Sequence, residues 1–250
     1  MQVKTQASRA VLIGATGAVG RNVLDAVLHS PHFVAATTLG RRPLPAGDPL
    51  AASVKLTQHT VDLFAPDSYA GLVAGHDVAF CTLGVGEPSK LAQSEVRRIE
   101  VDCVLGFARV CRQQGVRHFT LMTSVGSDRK SRIYYLRMKG ELEQSVADLG
   151  FTRCTLVRPS LLITRENRYG VSQGVLLRLW PHLDLALSGP LRKYRGIRVE
   201  DLGQAMVKNA ERFAPPGRPA EPVEILEWDD FDRLLAAAKT GAAAVGTAPR

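Results

Sequence analysis

No run of about 18 uncharged apolar residues occurs anywhere in this chain, so no helix is expected to span a membrane. The nearest approach, residues 175–187, is broken by Arg178, Pro181, His182 and Asp184. The polar residues 1–9 lead straight into a short strand with no apolar signal-peptide core, so no signal peptide is expected and the protein is read as cytoplasmic. Cysteine is scarce. Cys81, Cys103, Cys111 and Cys154 form no C-x-x-C pair, and no histidine lies beside them at metal-ligand spacing. A disulfide scaffold and a zinc module are therefore excluded, leaving reduced, mostly buried thiols in a reducing compartment. No G-x-S-x-G elbow is present, and His29, His32, His59, His76, His118 and His182 are scattered over separate segments. A Ser-His-Asp hydrolase is disfavoured on that ground. Internal repeats are absent, and 22 Gly with 14 Pro are too few for a fibrous protein.

What remains is the composition of an ordinary soluble protein, 45 % hydrophobic and 22 % charged, at a length one α/β domain can reach. Acidic residues are outnumbered, 24 against 32, for a net charge of +8. The excess is concentrated in residues 153–198, where Arg153, Arg158, Arg165, Arg168, Arg178, Arg192, Lys193, Arg195 and Arg198 face only Glu166 and Asp184. This segment reads either as a positive rim that attracts an anionic ligand or as a solvated basic face. Nucleic-acid binding lacks any supporting motif. A protein partner stays open.

Short Val/Ile/Leu-rich runs alternate with helical patterns, the signature of a parallel sheet with crossover helices. Strands are expected at 10–14, 35–39, 55–62, 77–83, 117–123 and 153–157, with an edge strand at 223–228. Helices are expected at 19–29, 67–74, 94–114, 134–149 and 199–213, two of them stopped by Gly115 and Gly150. The fold class is thus α/β, a doubly wound parallel sheet with a small C-terminal lobe. Residues 1–235 read as one domain, 160–200 as a lid or substrate lobe, and the small-residue stretch 236–250 as a flexible tail.

Directly after the first strand stands Gly14-Ala15-Thr16-Gly17-Ala18-Val19-Gly20. Glycines permit a tight turn and close backbone approach, and the free N–H groups of a helix start can cradle a pyrophosphate. Strand before and helix after turn a weak motif into a dinucleotide site. At the end of the second strand, where a carboxylate would bind the 2′-hydroxyl of NAD, the chain has Arg41 and Arg42. Their guanidinium groups suit a 2′-phosphate, so NADP(H) is expected over NAD(H), with Arg41 the first choice. Asp62 closes the third strand as an acceptor for the adenine amino group or as a local cap, and Leu63 follows it. Leu83 and Gly84 end the fourth strand, and Pro159 the sixth.

Tyr135 and Lys139 form Tyr-x-x-x-Lys on a helix, so both side chains leave one face. A nearby ammonium is expected to lower the phenol's pKa and to hold ribose hydroxyls. Ser124, at the end of the fifth strand, can orient a carbonyl oxygen. Tyr134 is less suited, its i+4 neighbour being Met138.

The stretches LIGATGAVGR, LGRRPL, HDVAFCTLG, HFTLMTSVGSD, YYLRMKGELE and LVRPSLL span residues 11–162. In words and order the chain resembles the atypical short-chain dehydrogenase/reductase superfamily, and more narrowly the Tat-interacting-protein oxidoreductase group. That resemblance implies a Rossmann core binding NADPH through the 14–20 loop and Arg41, with Ser124, Tyr135 and Lys139 as a Ser–Tyr–Lys triad. The chain departs from the pattern at Glu100, where related enzymes often have Asn, and at Ser160, where Gly is common. It matches least over 164–198. The activity expected is reduction of a small carbonyl compound by hydride transfer. A regulator that binds NADPH without turnover is the alternative. A sugar-nucleotide epimerase is less favoured, because about ninety residues follow Pro159.

Overall fold

The computed structural model describes residues 7–86, 88–164, 187–212 and 222–245. In chain order the first half contains β1 (Ser8–Ile13), α1 (Ala18–His29), β2 (Phe33–Gly40), β3 (Leu56–Thr60), α2 (Ala70–Val73) and β4 (Val78–Cys81). A long helix follows in three pieces: α3 (Gln93–Arg97), a π-helical turn (Arg98–Cys103) and α4 (Val104–Gln113). Then come β5 (His118–Met122), α5 (Tyr134–Ala147), β6 (Arg153–Val157), β7 (Leu162–Ile163), β8 (Ile197–Arg198), α6 (Val199–Glu211), β9 (Val223–Leu226) and α7 (Trp228–Val245).

Seven strands form one sheet in the order β3-β2-β1-β4-β5-β6-β9, and every pairing is parallel. Strands buried on both faces need apolar side chains at every position, which is why the runs are continuous and not alternating. VLI in β1 and VAFC in β4 are buried throughout. One core layer joins Val23, Leu24 and Val27 of α1 to Leu202, Met206 and Phe231 of α6 and α7. The opposite layer joins Val104 and Phe107 of α4 to Met138, Leu142 and Val146 of α5. Each such fully buried side chain contributes about 1.5–3 kcal/mol relative to exposure. α1 and α6 touch so closely at Gly203 that a Cβ there would lie 2.7 Å from the Asn22 carbonyl carbon.

The expected strands all form, β3, β4, β5 and β9 shorter than expected, β2 longer and β1 starting two residues earlier, and Gly115 (φ +84°) and Gly150 (φ +70°) stop their helices in the left-handed conformation. Three features differ. The 94–114 helix contains the π turn, which redirects its inner face. The two-residue ladder β7–β8 was too short to leave any periodicity in the sequence. The tail expected from residue 236 is helical to Val245, because its alanines continue α7 at the highest helix propensity. Within the 160–200 lobe, residues 165–186 lie outside the described residues, as do 246–250 of the tail. No helix among the described residues is long and apolar enough to cross a membrane.

Candidate active site

The strand order reverses between β1 and β4, and ligands of open parallel sheets bind outside the carboxyl ends at such a switch point. Thr82 stitches the two ends together, donating from its N–H and its Oγ1 to the Ile13 carbonyl, both at 3.1 Å. The glycine loop turns directly above. Gly14 has φ +83°, and a Cβ on it would lie 2.6 Å from the Thr82 carbonyl carbon. A Cβ on Gly20 would lie 2.1 Å from the Gly14 oxygen and 2.4 Å from Thr82 Oγ1. Gly20→Ala is therefore expected to cost about 3 kcal/mol in urea unfolding, since neither the Gly14 backbone on one side nor the Thr82 hydroxyl, bonded to the Ile13 carbonyl, on the other can yield cheaply. A loss under about 0.5 kcal/mol would show that the loop relaxes.

Helix α1 starts from Gly17 with no side-chain cap and no acidic residue in its first turn. Its first N–H groups and dipole thus face the groove without a competing carboxylate. The groove itself has three parts. A pocket of about 70 Å³ is lined by Gly14, Thr16, Thr38, Arg41, Arg42, Gln58, Leu63 and Leu83. A second of about 200 Å³ shares Arg41, Leu63 and Leu83 and adds Asp62, Phe64, Gly84, Arg98 and Cys103. A cleft of about 700 Å³ shares Leu83 and Gly84, and adds Gly17, Ala18, Val19, Ser124, Tyr135, Lys139 and Pro159. Every expected cofactor residue except Gly20 lines one of them; Gly20 supports the loop from beneath. Asp62 accepts from the Phe64 N–H at 2.9 Å in a local turn; it does not cap the following helical turn, which starts from Ala65 with no side-chain cap, and its carboxylate borders the second pocket.

Ser124 lies two residues beyond the end of β5, and Tyr135 and Lys139 occupy the first two turns of α5. A Cβ on Gly140 would lie 2.4 Å from Arg129 N, so α5 sits hard against the 124–132 loop. The Lys139 ammonium lies 5.8 Å from the Tyr135 ring centroid, as the i, i+4 spacing implies. Its charge, however, is taken up elsewhere. Lys139 Nζ meets Glu100 Oε2 at 2.6 Å, an ion pair without a well-aligned hydrogen bond at that oxygen. The expected lowering of the Tyr135 pKa is thereby corrected. Burial pushes the phenol up, and the neighbouring Glu100 carboxylate adds to the rise.

Arg98 is a site residue that sequence reasoning did not place, and Glu100 stood out only as a departure from the related enzymes' Asn, without its link to Lys139. Arg98 lies over the Phe64 ring at 4.3 Å and adds a second guanidinium beside Arg41. Glu100 falls on the buried stripe Val96, Cys103, Val104 and Phe107, and a charge on an apolar stripe is the signal that could have found it. All four cysteines are free and buried. Burial pushes Cys81 and Cys154 up to about 12 and Cys103 to about 11, so none is a ready nucleophile.

The basic segment 153–198 resolves into pairs with acids from outside it. Arg153 meets Glu224 at 2.7 Å, Arg158 meets Glu143 at 2.5 Å, Arg192 meets Asp229 at 2.9 Å and Arg198 meets Glu200 at 3.7 Å. Among the described residues, Arg153, Arg158, Arg192 and Arg198 of this segment are thus paired with acids on β9, α5, α7 and α6, while Arg165, Arg168 and Arg178 lie outside the described residues.

Comparison with known proteins agrees with this geometry. The model of an NAD(P)H-binding family matches residues 14–175. Protein HTATIP2 of Rattus norvegicus is 36 % identical over 169 residues, covering 67 % of this chain and 69 % of that protein. Protein FMP52, mitochondrial, of Coccidioides immitis is 27 % identical over 173 residues, covering 66 % and 70 %. Among solved structures, MoeE5 in complex with UDP-glucuronic acid and NAD gives a TM-score of 0.65 at 16 % identity, covering 88 % of this chain and 76 % of that one. UDP-glucose 4-epimerase of Thermotoga maritima gives 0.62 at 13 % identity, covering 91 % and 82 %. These two likenesses establish the doubly wound fold. With the glycine loop at the switch point and a family match over most of the sheet, the chain belongs to the NAD(P)H-binding Rossmann family, alongside HTATIP2.

Proposed function

We propose that this protein is an NADPH-dependent oxidoreductase that reduces a small carbonyl compound, with Ser124, Tyr135 and Lys139 as its Ser–Tyr–Lys triad. The observation that carries the reading is the continuous groove from Arg41 past Leu83 to Tyr135. Its residues fit a dinucleotide: an uncapped helix start for the pyrophosphate, two arginines at one end and a proton donor at the other. When bound, the reduced nicotinamide would supply the hydride. Arg41, with Arg42, would hold the 2′-phosphate by charge-assisted hydrogen bonds. Ser124 would donate to the substrate carbonyl oxygen, and Tyr135 would give that oxygen its proton. Lys139 would hold ribose hydroxyls. Pro88, Leu161 and Leu162 would exclude water from the reacting end. A reducing compartment suits the four buried thiols, and we favour the cytoplasm; the fungal relatives named mitochondrial offer the alternative.

One observation favours a second reading. Lys139 is engaged by Glu100, which suits a regulator that binds NADPH without turnover. Fluorescence titration with NADPH and NADH in parallel tests the shared premise. Micromolar binding of NADPH and much weaker binding of NADH is expected. Arg41→Ser should weaken NADPH by about 10- to 100-fold, the value of a lost charge-assisted pair, and leave NADH unchanged. Binding of neither nucleotide would refute both readings. Binding with no turnover across a panel of aldehydes and ketones would leave the regulator.

A further inference from the structure

Glu100 is 1 % exposed and Lys139 3 % exposed, yet both border the large cleft. The π turn aims the carboxylate inward between two elements of the site. Its Oε1 accepts from the Val85 N–H at 2.8 Å, and a Cβ on Gly84 would lie 3.4 Å from the same atom. Its Oε2 meets Lys139 Nζ at 2.6 Å. Tyr135 borders the same cleft one helical turn before Lys139, with the Lys139 ammonium 5.8 Å from its ring centroid. The loop after β4, the π turn and two turns of α5 therefore meet around one carboxylate.

That arrangement sets two acids against one cation. A carboxyl ordinarily ionises near pH 4 and a phenol near pH 10, each value being about right for an unperturbed group. With a single ammonium between them, the carboxylate takes the charge and the phenol keeps its proton, because two anions cannot share one buried cation cheaply. Cys81 at the end of β4 is a further titratable group that faces the pair. Its thiol is pushed up to about 12, chiefly by burial, and adds no charge.

Building on the reductase reading above, we propose that Glu100 is a positioning residue of that reaction. It holds the Lys139 ammonium away from the phenol and keeps Tyr135 in its neutral, proton-donating form throughout the working pH range. Each turnover would draw one proton from Tyr135 Oη to the carbonyl oxygen and return one from solvent.

The test follows the ultraviolet tyrosinate band of the cofactor-free protein during an alkaline titration. Each curve is taken as the difference from the same protein carrying Tyr135→Phe, which cancels the remaining tyrosines. In the wild type this difference stays flat through neutral and mildly alkaline pH. Glu100→Gln keeps an acceptor for Val85 N–H but frees the ammonium for the phenol. Its midpoint is expected at least one pH unit lower, a tenfold change in proton affinity. Glu100→Asp, which retains the charge, follows the wild type. Superimposable Glu100→Gln and wild-type curves would overturn the proposal. So would a wild-type Tyr135 that ionises below about pH 9, a result that needs no altered carboxylate. Because the titration uses no nucleotide, its failure is distinct from a failure to bind NADPH, which would instead remove the reductase reading.

Discussion

Tyr135→Phe is expected to lower carbonyl turnover by about a thousandfold while leaving NADPH affinity within about threefold. The size of the effect comes from the role. A positioned proton donor contributes about 10²- to 10⁴-fold, and no other acid among the described residues borders the cleft with a proton to give at neutral pH. Glu100 is paired with Lys139, and the Lys139 ammonium is committed to that pair. Removing one oxygen leaves the ring and its packing in place, so the groove that holds the nucleotide keeps its shape. Affinity and turnover should thus separate in this variant. Lys139→Met is expected to lose both, because the lysine would touch ribose as well as the triad. The measurement is single-turnover oxidation of NADPH with a substrate from the carbonyl panel, beside a fluorescence titration. Turnover within about tenfold of the parent would remove Tyr135 from the chemistry.

The parts of this site that could be read from the chain are those fixed by local rules. Gly14 and Gly20 announce themselves because a strand-to-helix turn over a neighbouring strand end has no room for their Cβ atoms, and Gly17 because it opens the helix between them. Arg41 follows because the end of β2 always meets the same ribose in this topology. Tyr135 and Lys139 follow because helical spacing fixes which side chains share a face. What could not be read depends on elements distant in sequence. Glu100 takes the charge of Lys139 from 39 positions away, and a π turn sets its aim. The pairing of Arg158, Arg153 and Arg192 was hidden in the same way, because their partners Glu143, Glu224 and Asp229 come from α5, β9 and the start of α7. A count of charges along one segment does not see which of them the fold pairs with acids from another.

Arg158→Met is expected to destabilise the protein by about 3–5 kcal/mol, the largest stability loss predicted for any single ionic change here. Glu143 projects from α5 into the space below the carboxyl ends of β5 and β6, with its side chain 5 % exposed. Arg158 holds it with two hydrogen bonds, Nε to Oε1 at 2.9 Å and Nη2 to Oε2 at 2.5 Å. Thr123 Oγ1 donates to Oε1 at 2.6 Å. Removing the guanidinium leaves a buried carboxylate with one hydroxyl for company, and the desolvation penalty then stands uncompensated. Arg158→Met with Glu143→Leu should recover much of the loss, since a matched apolar pair removes both buried charges. Urea unfolding of the parent, each single variant and the double variant gives the coupling directly. A single-variant loss below about 1 kcal/mol would show that water reaches Glu143. The site should register the change even in the recovered double variant. Thr123 precedes Ser124, Arg158 precedes Pro159, and Glu143 lies one turn beyond Lys139, so a single carboxylate ties together the three segments that carry the triad and the cleft wall. Loosening that tie by even a fraction of an ångström displaces Ser124 relative to Tyr135. Turnover in the double variant is therefore expected to fall by about tenfold or more while its unfolding midpoint returns toward the parent.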